Sequence, residues 1–485
     1  MEPQFWQLEH FGDNCALVDE FGRSVTYQQL AQHADDFAQK LPTRSLVLLQ
    51  CHNSIESVAA YLGCLRHGQV PLLLGANLAS ELLTTIIERY QPDFIYAPCA
   101  QPKAGQAQSA ESQAPSYELS ARTTAKTQLH PDLALLLSTS GSTGSPKLVR
   151  LSAQNLQSNA QAIAHYLELT PQERPITSLP LNYSYGLSVM NSHLLVGATI
   201  VLTDLSVAQA QFWDLFNEQA VTSLAGVPYT YQMLKRLRFT KMKLPSLKTL
   251  TQAGGHLAPE LVQEIATAVA PHGVKFYVMY GQTEATARMS YVPPSQLPNK
   301  PGSIGIAIEG GKFTIEDEQG QEITTAHTSG ALVYYGPNVN LGYATTKADL
   351  ALGDVNQGRL VTGDLAYFDE DHYFYLTGRR SRFIKLTGLR YSLNECEKIL
   401  EQHGFTTICT GQDEHLCILL IAAQDVSKQD QEEQVTRLKE LVATTLHLHH
   451  KLFVIKSAAL SEIPRNEVGK IQYHELQQKF FAEAN

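Results

Sequence analysis

Long apolar runs are missing from this chain: no stretch approaches the about eighteen consecutive apolar residues that a membrane-crossing helix requires. The opening Met1 to His10, with Glu2 and Glu9, lacks the basic and then apolar run of a secretory leader. Basic charge is in short supply too. Thirty-seven Lys plus Arg against forty-seven Asp plus Glu give a formal charge of -10, too acidic for a protein whose main task is to grip a nucleic-acid backbone. No CxxC pair occurs among the seven cysteines, Cys15, Cys51, Cys64, Cys99, Cys396, Cys409 and Cys417. An odd set without that spacing argues against both a disulfide framework and a zinc site. These absences predict a cytoplasmic protein with reduced, mostly buried cysteines, no membrane span and no nucleic-acid partner.

What is present is apolar material: 44% of the 485 residues, with only 17% charged, enough for packed cores in about two to four domains. From Leu46 to Tyr280 short apolar runs alternate with amphipathic stretches, such as Ser45 to Gln50, Ile55 to His67 and Val70 to Leu74. Leu133 to Leu137, Ala198 to Leu202 and Val221 to Val227 continue the strands, and Ala153 to Leu167 and Gln209 to Gln219 the helices. That rhythm predicts an α/β fold of helix-covered, mainly parallel sheets. Gln101 to Gln128, rich in Ala, Gln, Ser and Lys, reads as a surface excursion. After Gly302 short strands with turn signals predict a small β-rich subdomain, and beyond Arg380 a compact α+β unit follows. The expected domains are 1–380 and 381–485.

Directly after the apolar strand comes Ser138, Thr139, Ser140, Gly141, Ser142, Thr143, Gly144, Ser145, Pro146 and Lys147. Glycines let the backbone turn its N–H groups toward one point, the hydroxyls add donors and Lys147 adds a positive charge, so the loop can cradle a polyphosphate. It is not a Walker A loop, because Pro146 precedes the lysine and Leu148 stands where a magnesium-binding Ser or Thr belongs. Further along stand Gln252-Ala253-Gly254-Gly255-His256-Leu257, Tyr280-Gly281-Gln282-Thr283-Glu284, Thr362-Gly363-Asp364, Gly378-Arg379 and Pro464 to Lys470.

In this order these six segments resemble the signature of the adenylate-forming superfamily, which holds acyl- and aryl-CoA synthetases, the adenylation domains of peptide synthetases and beetle luciferases. The N-terminal Arg23 to Tyr27 with Leu30 also fits, so the resemblance covers essentially the whole chain. It implies ATP and Mg²⁺, with the Ser138 to Lys147 loop on the phosphates. Gly254 and Gly255 would lie flat against adenine, with Tyr280 offering a ring to its face. Thr283 would touch the α-phosphate and Glu284 would ligate Mg²⁺. Asp364 would accept from the ribose hydroxyls, near Arg379. Lys470, on a small mobile C-terminal domain, would bridge the substrate carboxylate and the α-phosphate. Lys385, in the loop Lys385 to Arg390, would face the thiol carrier in a second pose of that domain, an alternative being a plain turn between two strands.

The implied reaction is attack of a carboxylate on ATP to give an acyl-adenylate, followed by transfer to the pantetheine thiol of coenzyme A or of a carrier protein. Both reactants of the first step are anions, so cations and donors must be held in line at the developing charge. Tyr183, Tyr185 and Val227 are candidate walls of the acyl pocket. Where peptide-synthetase adenylation domains place an aspartate for the substrate's ammonium group, this chain has Ser184, and no carboxylate occurs between Pro180 and Val201. That favours an aliphatic or aromatic acid over an amino acid. Loading of an amino acid onto a separate peptidyl carrier, and a non-catalytic nucleotide- or acyl-binding role, are the alternatives. Ser381 at the hinge and Tyr473 after Lys470 depart from common residues of the superfamily.

Overall fold

The structure is a computed structural model and describes residues 3–42, 44–99, 114–122, 128–138, 147–379, 382–386, 389–412, 414–422, 428–446, 448–466 and 469–482. The chain divides into two compact units, the second made chiefly of residues 314–333 and everything from 361 onward.

The first unit holds two mixed sheets. One has nine strands, with Lys275–Tyr280, Thr249–Gln252, Ser223–Gly226, Pro175–Ile176, Ile200–Leu202 and Cys15–Asp19 running parallel in that order. The other has seven, with Leu133–Ser138, Val70–Gly75, Leu46–Cys51 and Phe94–Pro98 parallel at its centre. Antiparallel strands close the edges of both. The central strands of the seven-stranded sheet are mostly apolar runs because both faces are covered. Ile55–Arg66 shows why: Ile55 through Leu65 are buried all but Glu56, and the core around it takes Leu17 and Ile200 from one sheet and Val47, Leu135 and Leu151 from the other. Ser54 starts this helix by accepting a hydrogen bond from the Ser57 N–H, and Ser152 with Asn155 forms a capping box at the start of Ala153–Tyr166.

The expected surface excursion over 101–128 contains a strand, Tyr117–Ala121, added antiparallel to Phe94–Pro98. Its anchor is aromatic. Tyr117 stacks on Tyr96 with ring centroids 4.8 Å apart, and its hydroxyl lies 2.9 Å from the Ser57 hydroxyl. Tyr117, with Leu119 packed against the core, gives the segment a buried side that its polar composition hides.

A four-stranded sheet ordered Lys312–Glu316, Gly330–Tyr335, Arg359–Phe368, Phe374–Arg379 falls mostly in the second unit. After it come a hairpin of Phe383–Leu386 and Leu389–Ser392 and a three-stranded sheet of Thr407–Gln412, His415–Ala422 and Phe453–Ala459. Leu393–Gln402 and Lys428–Thr445 pack on that sheet through Leu400, Leu438 and Val442.

Candidate active site

Ser138 ends its strand and pairs with Leu148, the first residue of Leu148–Ser152. Thr139, Ser140, Gly141, Ser142, Thr143 and Gly144, which follow Ser138 in sequence, lie outside the described residues. Lys147 is described, and its ammonium sits 3.9 Å from the ring centroid of Tyr343, a cation–π contact. The Tyr343 hydroxyl donates to Glu284 Oε1 at 2.6 Å. Burial, with the Glu284 charge beside it, pushes the Tyr343 phenol well above its usual range, so it stays a donor. Lys147, Tyr343 and Glu284 therefore form one chain of contacts, and Tyr343 is a link that sequence reasoning missed.

Glu284 lies in a tight turn, Thr283–Ala285, that follows the strand Lys275–Tyr280. Gly281 is required there, because a Cβ would fall 1.8 Å from the Ala287 carbonyl oxygen. Just past the turn Thr286 holds φ 65°, locked by its hydroxyl donating to the Asn338 carbonyl at 2.8 Å. The Thr283 hydroxyl lies 3.0 Å from the Ser184 hydroxyl. Tyr280 is half-buried at the strand end, accepting from Gln282 Nε2 at 3.1 Å.

Gly254, at φ 84°, leaves no room for a side chain: an added Cβ would come within 2.5 Å of the Tyr183 hydroxyl and 3.1 Å of Val227 Cγ1. Gly255 follows, its carbonyl accepting from Gln252 Nε2 at 2.9 Å. Tyr185 meets Tyr183 edge-on at 6.3 Å and its hydroxyl lies 2.8 Å from that of Thr251. Thus Gly254, Tyr183, Tyr185 and Val227 are brought together, with Val227 and both tyrosines in one apolar cluster with Met279 and Tyr277. Burial pushes the Tyr183 phenol up to about 12.

In the second unit Asp364 is nearly fully buried, and Arg379 donates Nε to its Oδ1 at 2.7 Å. The two face each other across Arg359–Phe368 and Phe374–Arg379. Lys470 sits in a turn built by Asn466, whose side chain accepts from the Lys470 N–H at 2.8 Å and whose N–H donates to the Lys470 carbonyl at 2.9 Å. Lys385 lies on a hairpin strand opposite Arg390.

No group of three or more His, Cys, Asp or Glu suited to a metal occurs among the described residues. The half-buried Glu284 supplies one hard carboxylate, which fits Mg²⁺, an ion held by one or two carboxylates and otherwise by phosphate oxygens and water.

A profile of the AMP-binding enzyme family matches residues 5–344. The chain belongs to that family. With membership, the expected fold class and the reading as an ATP-dependent, AMP-forming ligase hold. The chain is 26% identical over 510 residues to a medium-chain fatty-acid–CoA ligase of Escherichia coli (strain K12), covering 96% of this chain and 88% of that relative. It is 32% identical over 280 residues to an oxalate–CoA ligase of Arabidopsis thaliana, a match that covers 56% of this chain and 53% of the relative. The solved o-succinylbenzoate CoA synthetase of Bacillus subtilis, in complex with its acyl-adenylate intermediate, shares the fold, with a TM-score of 0.76, 24% identity and 98% of each chain covered.

Proposed function

We propose that this family member activates a small carboxylic acid lacking an α-amino group as its adenylate and passes the acyl group to a pantetheine thiol, of coenzyme A or of a separate carrier protein. The observation that carries the reading is the contact chain Lys147–Tyr343–Glu284 beside Thr283. It gathers a cation, a carboxylate and a hydroxyl where a triphosphate needs all three.

In the first step a substrate carboxylate oxygen attacks the α-phosphorus of ATP and the bond to pyrophosphate breaks. Lys147 and the Ser138 to Gly144 segment hold the departing phosphates, and Thr283 donates to the α-phosphate. Glu284 would hold Mg²⁺, which would supply positive charge against the phosphate oxygens. Gly254, Gly255 and Tyr280 take adenine, Asp364 and Arg379 the ribose, and Tyr183, Tyr185 and Val227 the acyl group. Lys470 neutralises the approaching carboxylate. In the second step the thiolate attacks the acyl carbon and AMP leaves. Residues 381–485 act as the mobile domain, moving Lys470 out and bringing Lys385 toward the thiol.

Ser184 is the residue that favours an acid over an amino acid. Its hydroxyl is paired with Thr283, and the segment from Pro180 to Val201 carries no carboxylate to meet a buried ammonium there. A cytoplasmic location belongs to the same proposal: the seven cysteines are unpaired, and no helix among the described residues is long and apolar enough to cross a membrane.

Lys470→Ala tests the two-step reading. Acid-dependent exchange of labelled pyrophosphate into ATP should fall at least about 100-fold, while transfer from a preformed adenylate to coenzyme A or pantetheine stays within a few-fold. Equal loss of both steps would refute the role given to Lys470.

A further inference from the structure

Arg288 lies four residues beyond Glu284, 2% exposed and among the largest fully buried side chains. Its Nη1 donates to the Tyr166 hydroxyl at 2.9 Å, and its guanidinium carbon stands 5.0 Å from the centroid of the Tyr185 ring. Its Nε is buried and has no hydrogen-bond partner. No carboxylate among the described residues forms an ion pair with it. The nearest charged candidate in sequence, Glu284, is engaged by Tyr343.

The titratable neighbours are neutral. Burial pushes the phenols of Tyr166 and Tyr185 up, and burial holds the His193 imidazole down at about 4. His193 Nδ1 lies 2.8 Å from the Val189 carbonyl oxygen, which leaves its buried Nε2 without a partner as well. Asn159 spends its side chain on the Arg288 backbone, its Nδ2 donating to the Arg288 carbonyl at 2.8 Å. A guanidinium cannot shed its proton in a protein, so a full positive charge is buried beside Tyr166 and Tyr185 with its Nε–H unpaired. A buried charge of this kind is strongly unfavourable until an opposite charge reaches it.

We propose that Arg288 is the receptor for a second anionic group on the acyl substrate, so that the acid this enzyme activates is a dicarboxylic acid. This inference rests on the reading of Tyr185 as a wall of the acyl pocket. One carboxylate reacts at the phosphate end, by Thr283 and Glu284. The other accepts from Arg288 Nε and its neighbouring Nη in a forked, charge-assisted pair, the geometry that guanidinium offers carboxylate. Tyr166 holds the fork in place: its hydroxyl takes the Nη1 donor, and its ring is stacked on Tyr291 at 4.2 Å.

The test is acid-dependent pyrophosphate exchange with the straight-chain dicarboxylic acids from malonic to adipic and with benzene-1,4-dicarboxylic acid, each beside its monomethyl ester. The wild-type enzyme should favour at least one diacid over its ester by about 100-fold in kcat/KM. Arg288→Met should erase that preference by losing the diacid and keeping or gaining the ester, while Arg288→Lys retains part of it. Exchange with monoesters or fatty acids at rates equal to the diacids would overturn the proposal and leave the adenylation reading intact. Exchange with no acid at all would count against that reading instead, and the Arg288 proposal is then decided without turnover. Diacid at millimolar concentration, with Mg²⁺ and ATP, should raise the midpoint of thermal unfolding of the wild type but not of a folded Arg288→Met. No diacid-specific shift would overturn it.

Discussion

Two arginines are buried in the first unit, and they are buried differently. Arg150, 0% exposed in the strand Leu148–Ser152, turns all three guanidinium nitrogens to main-chain carbonyls: Nε to Tyr343 at 3.2 Å, Nη2 to Leu341 at 2.7 Å and to Gly353 at 3.1 Å, and Nη1 to Leu352. Arg288 has one hydroxyl partner, an aromatic face and an unused Nε. The first charge is dissolved in carbonyl dipoles and pins segment 341–353 beside the strand Leu148–Ser152. The second is left for something the chain does not contain. Burial of a charge identifies a fold element in one case and a ligand contact in the other, and the count of satisfied donors separates them.

The sharpest break of this comparison is a pair of variants measured by chemical denaturation. Arg150→Met strands four carbonyls and should lower unfolding stability by about 3–5 kcal/mol, with acid selectivity unchanged in whatever fraction folds. Arg288→Met removes an unmatched buried charge and should leave the chain as stable as the wild type or more stable. Equal losses would show that both arginines serve the fold alone.

Next in size is the pH response of His193. Its folded value of about 4 lies below the 6.5 of a free imidazole, so the unfolded chain takes up the proton first. The contribution is present in full above 6.5, and stability falls as pH drops through the window from 6.5 to 4. The loss is about 3 kcal/mol. His193→Gln should flatten that part of the stability profile relative to wild type. Arg288 is one of the groups holding His193 down, after burial itself, so Arg288→Met should narrow the window from below. An unchanged window would mean that the two side chains do not sense each other.

The smallest effect is expected at Tyr343, whose carbonyl accepts from Arg150 and whose hydroxyl donates to Glu284. Tyr343→Phe removes one hydrogen bond to a charged group, worth about 1.5 kcal/mol, and should reduce kcat/KM for ATP about tenfold. Its signature is a raised Mg²⁺ requirement with unchanged acid preference. A shift in acid preference instead would place Tyr343 in the acyl pocket.

Much of the scaffold is legible because it rests on local rules. The central strands of the seven-stranded sheet read as strands because a sheet covered on both faces favours continuous apolar runs, and Ser54 and Ser152 mark helix starts by their caps. Tyr117–Ala121 was hidden because an edge strand held only by Tyr117 and Leu119 has no apolar run to show. At the site, Gly254, Tyr183, Tyr185 and Val227 stand in three segments of the sequence, and the sheet brings them together. Tyr343 and Arg288 were missed for opposite reasons. Tyr343 follows Gly342 on a short strand, Gly342–Ala344, with nothing in the neighbouring residues to signal a carboxylate partner. Arg288 did leave a signal: a lone charge between Ala285 and Val292 in an otherwise uncharged stretch, a residue type seldom buried without a partner.

The most direct measurement is acid-dependent exchange of labelled pyrophosphate into ATP by the wild-type chain with Mg²⁺, over a panel of fatty, aromatic, amino and dicarboxylic acids. The account expects exchange, strongest with a dicarboxylic acid and weak with amino acids. ATP binding without exchange for any acid would contradict it.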